Sequence, residues 1–363
     1  MKTATTKTAP LFLRKFGPLL GAIAFYALIM ILRSADIING YYMQVMLFAG
    51  VNVMMTASLN LVNGFTGQFC IGHAGFMSLG AYGSAVITTL VFKGTSVAPA
   101  AQIPVFLLGL LCGGIVAALV GCLIGIPSLK LKGDYLAIVT LAFGEIIKEL
   151  INCLIIGYDE NGLHFIFNPA GNKTVDDLGL SASGTAIIKG AQGATGTATI
   201  ATFTAGFILV MITLIVVLNL TRSRAGRAIM AIRDNRIAAQ AIGLNLTKYK
   251  LMAFVTSAAL AGAAGALYGL NYSSLQATKF NFNLSILVLV FVVLGGLGNI
   301  WGSLVAAAAL TILPEALRQF ADFRMLIYAI VLIFVMLATN NPQAKAFFQK
   351  LLPHHRASAE KED

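Results

Sequence analysis

The sequence predicts an all-α polytopic membrane protein with about ten transmembrane helices. Hydrophobic residues make up 58% of the 363 residues and charged residues only 11%, and the mean hydropathy is +0.84. Ordinary soluble domains contain about 45–50% apolar and about 25% charged residues. Most charges lie between apolar runs, so the net charge of +11 indicates membrane topology rather than nucleic-acid binding.

Nine apolar runs are long enough, or nearly so, to cross a hydrocarbon core of about 30 Å. The first follows four basic residues but lacks a small-residue cleavage site, so we interpret it as a retained span. The eighth run would make a helix of about 45 Å, and glycines interrupt it, so we predict two short or re-entrant helices there. The runs occupy residues 17–32, 43–62, 75–92, 103–126, 135–157, 198–219, 250–270, 284–313 and 325–339.

The positions of the basic residues favour an even number of crossings with both termini in the cytoplasm. The inner segments would then hold 17 of the 25 Lys and Arg residues. We predict a single transmembrane domain, residues 1–363, made of two five-helix halves in an inverted repeat. Its non-membrane parts are cytoplasmic tails at 1–16 and 340–363, an outer loop at 158–197 and a cytoplasmic loop at 220–249.

Glycines interrupt the apolar sequence in both halves, at residues 64–75 and 295–302. Each interior glycine costs a helix about 1 kcal/mol relative to alanine, and paired interruptions point to a transport site near the bilayer midplane. The alternative is that the glycines serve only close helix packing. His73 fits either a helix cap or packing residue, or a substrate contact. The candidate pathway residues are Gly67, Gln68, Gly72, His73, Gly75, Glu145, Gly295, Gly296 and Gly298.

Three charged residues, Glu145, Lys148 and Glu149, share one helical face inside the fifth apolar run. An isolated charge at the bilayer centre costs about 2.5–3.5 kcal/mol on insertion scales, so these side chains must face protein, water or each other. Two interpretations remain open: a self-neutralising cluster within the helix, or a charged wall of the translocation path.

The basic segment between the sixth and seventh runs predicts a short amphipathic helix. Asp234 or Asn235 can cap its start, Gly243 can end it, and Ile237, Ala241 and Leu244 fall on one face. The alternative is an ordinary positive-inside loop.

The outer loop, residues 158–197, is rich in Gly, Asn, Asp and Thr, and is predicted either to dock an external partner or to act as a floppy connector. The four cysteines lie in or beside apolar runs and lack metal-ligand spacing, so neither a disulfide nor a metal site is expected.

Four blocks of sequence resemble, in order, those of the high-affinity branched-chain amino acid import permeases, the Liv family. They cover about half of the chain, and DYLAIVTLAFGEIIKELI together with the length favours the M-type over the H-type permease subunit. Cys70, Gly75, Asn235 and Gln240 depart from the family's usual residues. The other blocks are GQFCIGHAGFMSLGAY, GRAIMAIRDNRIAAQAIGLNLTKYKLMAFVTSAALAGAAGALY and GGLGNIWGSL.

The resemblance implies a permease subunit, not an enzyme, of an ATP-driven importer in the bacterial inner membrane, working by alternating access. Implied partners are an H-type permease subunit, two ATPase subunits, a periplasmic binding protein and membrane lipid. ATP and Mg would bind the ATPase, because this chain has no Gly-x-x-x-x-Gly-Lys-Ser/Thr motif and is expected to bind no cofactor or metal. Import of urea, short amides or other amino acids, ion-coupled secondary transport, and a channel or scaffold role are the alternatives. The implied ATPase-coupling residues are Gly226, Arg227, Arg233, Asp234, Ala238, Ala239, Ala241 and Gly243.

Overall fold

The computed structural model contains mostly long apolar helices. It describes residues 11–36, 38–92, 99–129, 135–159, 162–169, 171–180, 184–197 and 199–320, with short pieces between 323 and 333. The helices described are α1 Leu11–Ser34, α2 Gly40–Asn60, α3 His73–Phe92, α4 Pro99–Ser128, α5 Tyr135–Asn152, α6 Phe203–Arg222, α7 Arg224–Asp234, α8 Arg236–Ala241, α9 Leu246–Gly269, α10 Phe282–Gly295 and α11 Ile300–Ala316.

Six helical segments in the described residues are long and apolar enough to cross a membrane. They contain α2, α3, α4, α6, α9 and α10, whereas α11 is shorter and α5 carries the charged cluster. Most of the last predicted run, and both terminal tails except residues 11–16, lie outside the described residues. The multi-pass helical character is therefore confirmed, while ten crossings and the inverted repeat stay predictions.

The centre of the fold is the mutual packing of α3, α4 and α9, which small residues bring close together. A β-carbon built on Gly80 of α3 would lie 1.9 Å from the Gly262 carbonyl oxygen of α9. Another on Gly113 of α4 would lie 2.7 Å from the Gly80 carbonyl oxygen. Glycine at these positions lets the helix backbones touch, and fully buried side chains such as Met77 and Phe254 fill the surrounding space.

An antiparallel five-stranded sheet corrects two predictions. The fifth apolar run does not continue as a helix to residue 157, because α5 ends at Asn152 and a strand follows at once. Part of the region 158–197 therefore belongs to this sheet, and the fold is not purely α-helical; the role of the region as docking surface or connector stays a prediction. The strands are β1 Leu154–Asp159, β2 Gly162–Phe167, β3 Thr185–Lys189, β4 Ala194–Thr195 and β5 Ser274–Leu275, in the order β2-β1-β3-β4-β5.

The long eighth run is divided as the sequence predicts. Helix α10 ends at Gly295 and α11 begins at Ile300, where the Asn299 side chain accepts a hydrogen bond from the Gly302 amide and caps the new helix. The four cysteines are free thiols.

Candidate functional site

The first break in the helices, defined as residues 61–72, separates α2 from α3. After Asn60 the chain makes one π-helical turn, Leu61–Phe65, and the next α-helix begins at His73. Gly67 has a φ of +64°, a conformation that favours glycine. The predicted interruption is confirmed, but it ends earlier than predicted, because Gly75 lies inside the first turn of α3.

Two polar side chains of this region are buried in different ways. His73 is buried and its Nε2 atom lies 2.7 Å from the Ser58 hydroxyl of α2, so it is a packing residue satisfied within the chain. Gln68 is also buried, but its Oε1 atom has no hydrogen-bond partner among the described residues. A buried oxygen without a partner is costly, and Gln68 stays a candidate pathway residue.

The end of the first break is pressed against α5. A β-carbon on Gly72 would lie 1.9 Å from the Thr140 carbonyl oxygen, and one on Gly75 would lie 2.9 Å from the Gly144 α-carbon. The Thr140 hydroxyl accepts a hydrogen bond from the Ile71 amide at 3.2 Å. These contacts place Glu145, the next residue of α5, beside the start of α3.

A small cavity lies where the starts of α3 and α10 meet α5. Gly72, Gly75 and Glu145 line it together with Phe282 and Ser285. Its volume of about 10 Å³ has room for at most one water molecule. The Glu145 carboxylate accepts a hydrogen bond from the Phe282 amide at 3.0 Å, at the first turn of α10. Three of the predicted pathway residues are therefore brought together around a carboxylate and a helix N-terminus.

The charged cluster of α5 is paired within its own helix, as one interpretation predicts, while a role in the translocation path stays a prediction. The Lys148 ammonium pairs with Glu145, and it lies 3.3 Å from the Glu149 carboxylate. The cluster is thus largely neutralised within one helix, yet Glu145 also reaches α10. Glu149 is 63% exposed and lies in the last turn of α5, which ends at Asn152.

The second break, defined as residues 296–299, meets the first break away from this cavity. Gly296 and Gly298 have φ values of +94° and +81°. The Gly298 amide donates a hydrogen bond to the Asn60 side-chain oxygen at 2.9 Å, and the Asn60 side-chain nitrogen donates to the Ser303 hydroxyl at 2.8 Å. Gly295 ends α10 and faces the Ser303 backbone. Gly295, Gly296 and Gly298 therefore lie with Gly64, not among the residues that line the small cavity.

The segment between α6 and α9 forms two helices, α7 and α8, where the sequence predicts one. They meet at Asn235, whose side chain accepts hydrogen bonds from the Ile237 and Ala238 amides and so caps α8. Asp234, the alternative cap, ends α7 and pairs with Arg233. Gly243 has a φ of +83° just after α8, which confirms the predicted helix stop.

The residues predicted for ATPase coupling fall into exposed and internal groups. Ala238 and Ala241 are exposed, and so is Arg227, which donates to the Arg222 carbonyl oxygen. Ala239 is buried, and a β-carbon on Gly226 would lie 2.2 Å from the Leu220 carbonyl oxygen. Ala239 and Gly226 therefore position the helices against the rest of the chain, and a prediction that Ala239 touches a partner is not compatible with its burial.

The Arg233 side chain extends from the end of α7 and contacts the first break. Its Nη1 atom donates a hydrogen bond to the Gly64 carbonyl oxygen at 3.1 Å. Its Nε and Nη2 atoms donate to Asp234 at 3.0 and 2.9 Å.

Sequence reasoning missed three residues of this region. Asn60 and Ser303 join the two breaks, and a polar residue in an otherwise apolar run was the available signal. Ile242 follows α8 and is 75% exposed, and a large aliphatic side chain on a polar surface segment was the signal for it. Ile237, which the sequence places on the apolar face of the short helix, is 82% exposed.

Comparison with known proteins gives a consistent result over most of the chain. The family profile described as branched-chain amino acid transport system / permease component matches residues 41–338. The high-affinity branched-chain amino acid transport system permease proteins LivM of Salmonella typhimurium and Escherichia coli are 33% identical over 296 and 294 residues, which is 79% of this chain in both cases. The match spans 66% of the length of each of these two relatives.

A more distant relative extends the comparison to archaea. The probable branched-chain amino acid transport permease protein LivM of Methanocaldococcus jannaschii is 25% identical over 293 residues, 73% of this chain and 77% of that protein. No solved structure matches the chain.

Proposed function

The chain belongs to the branched-chain amino acid transport system permease family, and we propose that it is the membrane permease subunit of an ATP-driven importer of leucine, isoleucine and valine. The relatives' names supply the substrate class. An apolar side chain of this kind needs a path that removes it from water, with a few polar groups for its carboxylate and ammonium.

The observation that carries the proposal is the exposed apolar surface of α8. Ile237, the second residue of α8, and Ile242, which follows its last residue, expose most of their side chains. A groove of about 370 Å³, lined by residues that include Arg236, Gln240 and Lys250, lies beside it. Exposed aliphatic anchors next to a polar rim are typical of a protein-binding site. The occupant we propose is a separate ATPase subunit, which binds ATP and Mg.

The substrate path proposed here follows the first break. Gly67, Gln68, Gly72, Gly75 and Glu145 would line it, with the unpartnered Gln68 oxygen and the Glu145 carboxylate as groups for the substrate ammonium. The first turn of α10, which now binds Glu145, offers amide donors for a carboxylate. The small cavity between α3, α5 and α10 cannot hold an amino acid. We interpret this structure as a closed state of an alternating-access permease.

The remaining proposals concern the assembly. We place both termini in the cytoplasm, ten segments in the bacterial inner membrane and residues 158–197 in the periplasm. A periplasmic binding protein would deliver substrate to that side. A second permease subunit of the H-type would cover the exposed charged face of α5, where Glu149 otherwise faces lipid.

Uptake in cells tests the proposal. We expect a strain lacking its own branched-chain uptake to accumulate radiolabelled leucine when this chain is expressed with its ATPase, binding-protein and second permease genes. Omitting the ATPase genes should abolish that uptake. Uptake of urea instead of leucine would contradict the substrate assignment, and leucine uptake without any ATPase would contradict the importer class.

A further inference from the structure

One arginine contacts both breaks, and this contact suggests how the cytoplasmic helices act on the membrane part. Besides its hydrogen bond to Gly64, Arg233 packs its aliphatic stem on Gly67, where an added β-carbon would lie 2.8 Å from the Arg233 Cγ atom. A β-carbon on Gly298 of the second break would lie 3.6 Å from Nη1. The two breaks come from segments more than 200 residues apart in the chain and meet at this side chain.

The guanidinium is held in place by its neighbour. Two of its nitrogens bind the same Asp234 oxygen, which leaves Nη1 directed at the Gly64 carbonyl oxygen. Gly64 belongs to the π-helical turn, whose carbonyl groups are less regularly bonded than those of an α-helix. The Arg233 guanidinium is planar and permanently charged, so it is a strong hydrogen-bond donor to this carbonyl oxygen. Because its nitrogens have a fixed geometry, a shift of the side chain also shifts the bonded carbonyl group.

The body of α7 is anchored to the same turn. Ile229 packs in one cluster with Leu61, the first residue of the π-helical turn, and with Ala253 of α9. Arg233 follows one helical turn later, directly before the Asn235 junction with α8. A displacement of α8 is therefore transmitted to the first break at two points. One is the apolar contact of Ile229 with Leu61, and the other is the hydrogen bond of Arg233 to Gly64.

We infer that Arg233 is the positioning residue that transmits movement of α7 and α8 to both breaks. This inference rests on the proposed ATP-driven import. When α8 is drawn toward the ATPase, the Arg233 side chain moves the Gly64 carbonyl and the adjacent Gly298 together. Because Asn60 already joins the two breaks, they shift as one unit, and the far end of the first break, at Gly72, changes its contact with α5.

The test compares Arg233→Ala, Arg233→Lys and Arg224→Ala in the purified complex reconstituted with its ATPase and binding protein in proteoliposomes. Arg224 is the matched control, since it is an exposed arginine in the first turn of the same helix. The readout is the amount of radiolabelled leucine taken up per ATP hydrolysed. A merely structural role would lower uptake and hydrolysis in parallel.

We expect Arg233→Ala to keep ATP hydrolysis and assembly but to lower leucine uptake per ATP about tenfold. Arg233→Lys should recover part of the leucine uptake per ATP, because the lysine ammonium can still donate to the Gly64 carbonyl oxygen but cannot bind Asp234 with the geometry of a guanidinium. Arg224→Ala should match the wild type. A wild-type ratio in Arg233→Ala, or a parallel loss of both activities, would overturn the inference. Absence of ATP-dependent leucine uptake by the wild-type complex would instead overturn the proposed function.

Discussion

Substituting Gly72 by alanine tests the contact between the first break and α5. The added β-carbon would lie 1.9 Å from the Thr140 carbonyl oxygen, whereas contacts under 3.0 Å are essentially never seen, so the two backbones must separate by about 1.1 Å. The obstacle is backbone and not a flexible side chain, so the strain cannot be relieved by a rotamer change. Overpacking of this kind costs about 1–3 kcal/mol.

The matched control is Gly83→Ala in α3, the helix that begins directly after Gly72. A β-carbon there meets its nearest neighbour, the Gly113 α-carbon, at 3.8 Å, which is an ordinary contact. Alanine is also the better helix former by about 1 kcal/mol. We therefore expect Gly83→Ala to retain or slightly raise stability, while Gly72→Ala loses it.

The assay is thermal unfolding of the purified protein in one detergent, followed by leucine uptake. For domains of 150–250 residues, 1 kcal/mol corresponds to about 2–4 °C, so we expect Gly72→Ala to lower the Tm by about 5 °C. Gly72→Leu places a larger side chain at the same backbone contact and should fail to accumulate as folded protein. Unchanged Tm and uptake in Gly72→Ala would show that the first break and α5 do not approach as described.

Three further predictions concern partners, substrate and topology. Ile237→Asp should abolish co-purification with the ATPase while the Tm stays unchanged. Ala239→Trp should instead lower the Tm, because Ala239 is buried. Normal ATPase binding by Ile237→Asp would exclude α8 as the docking site. Glu145→Gln should raise the KM for leucine severalfold with little change in Tm, and unchanged kinetics would assign the charged cluster to helix stability alone. In a cysteine-free background, Lys173→Cys should react with an impermeant thiol reagent on intact cells, and a cysteine at residue 358 should not; the reverse pattern would refute the topology.

The features that the sequence predicts well are those encoded by neighbouring residues. The helix stop at Gly243 and the cap at Asn235 follow from local backbone preferences. The split of the eighth run follows in the same way, because three glycines and a capping Asn299 fall within five residues.

The features that the sequence does not predict depend on distant contacts. Residues 154–157 continue the apolar run of α5 without a charge, so hydropathy cannot distinguish a strand from a last helical turn; pairing with residues 164–167 and 185–189 decides it. The burial of Ala239 depends on which face of a short helix meets α9. The bond between Asn60 and Gly298 spans 238 positions of the chain, and no local pattern specifies it.

Leucine accumulation by the purified complex in proteoliposomes tests the importer proposal itself. With binding protein outside and ATP at the ATPase side, we predict accumulation of radiolabelled leucine above the external concentration. The same vesicles should accumulate none with a non-hydrolysable ATP analogue, and an imposed ion gradient should have no effect. Accumulation driven by the ion gradient without ATP, or exclusion of leucine while urea enters, would contradict the account.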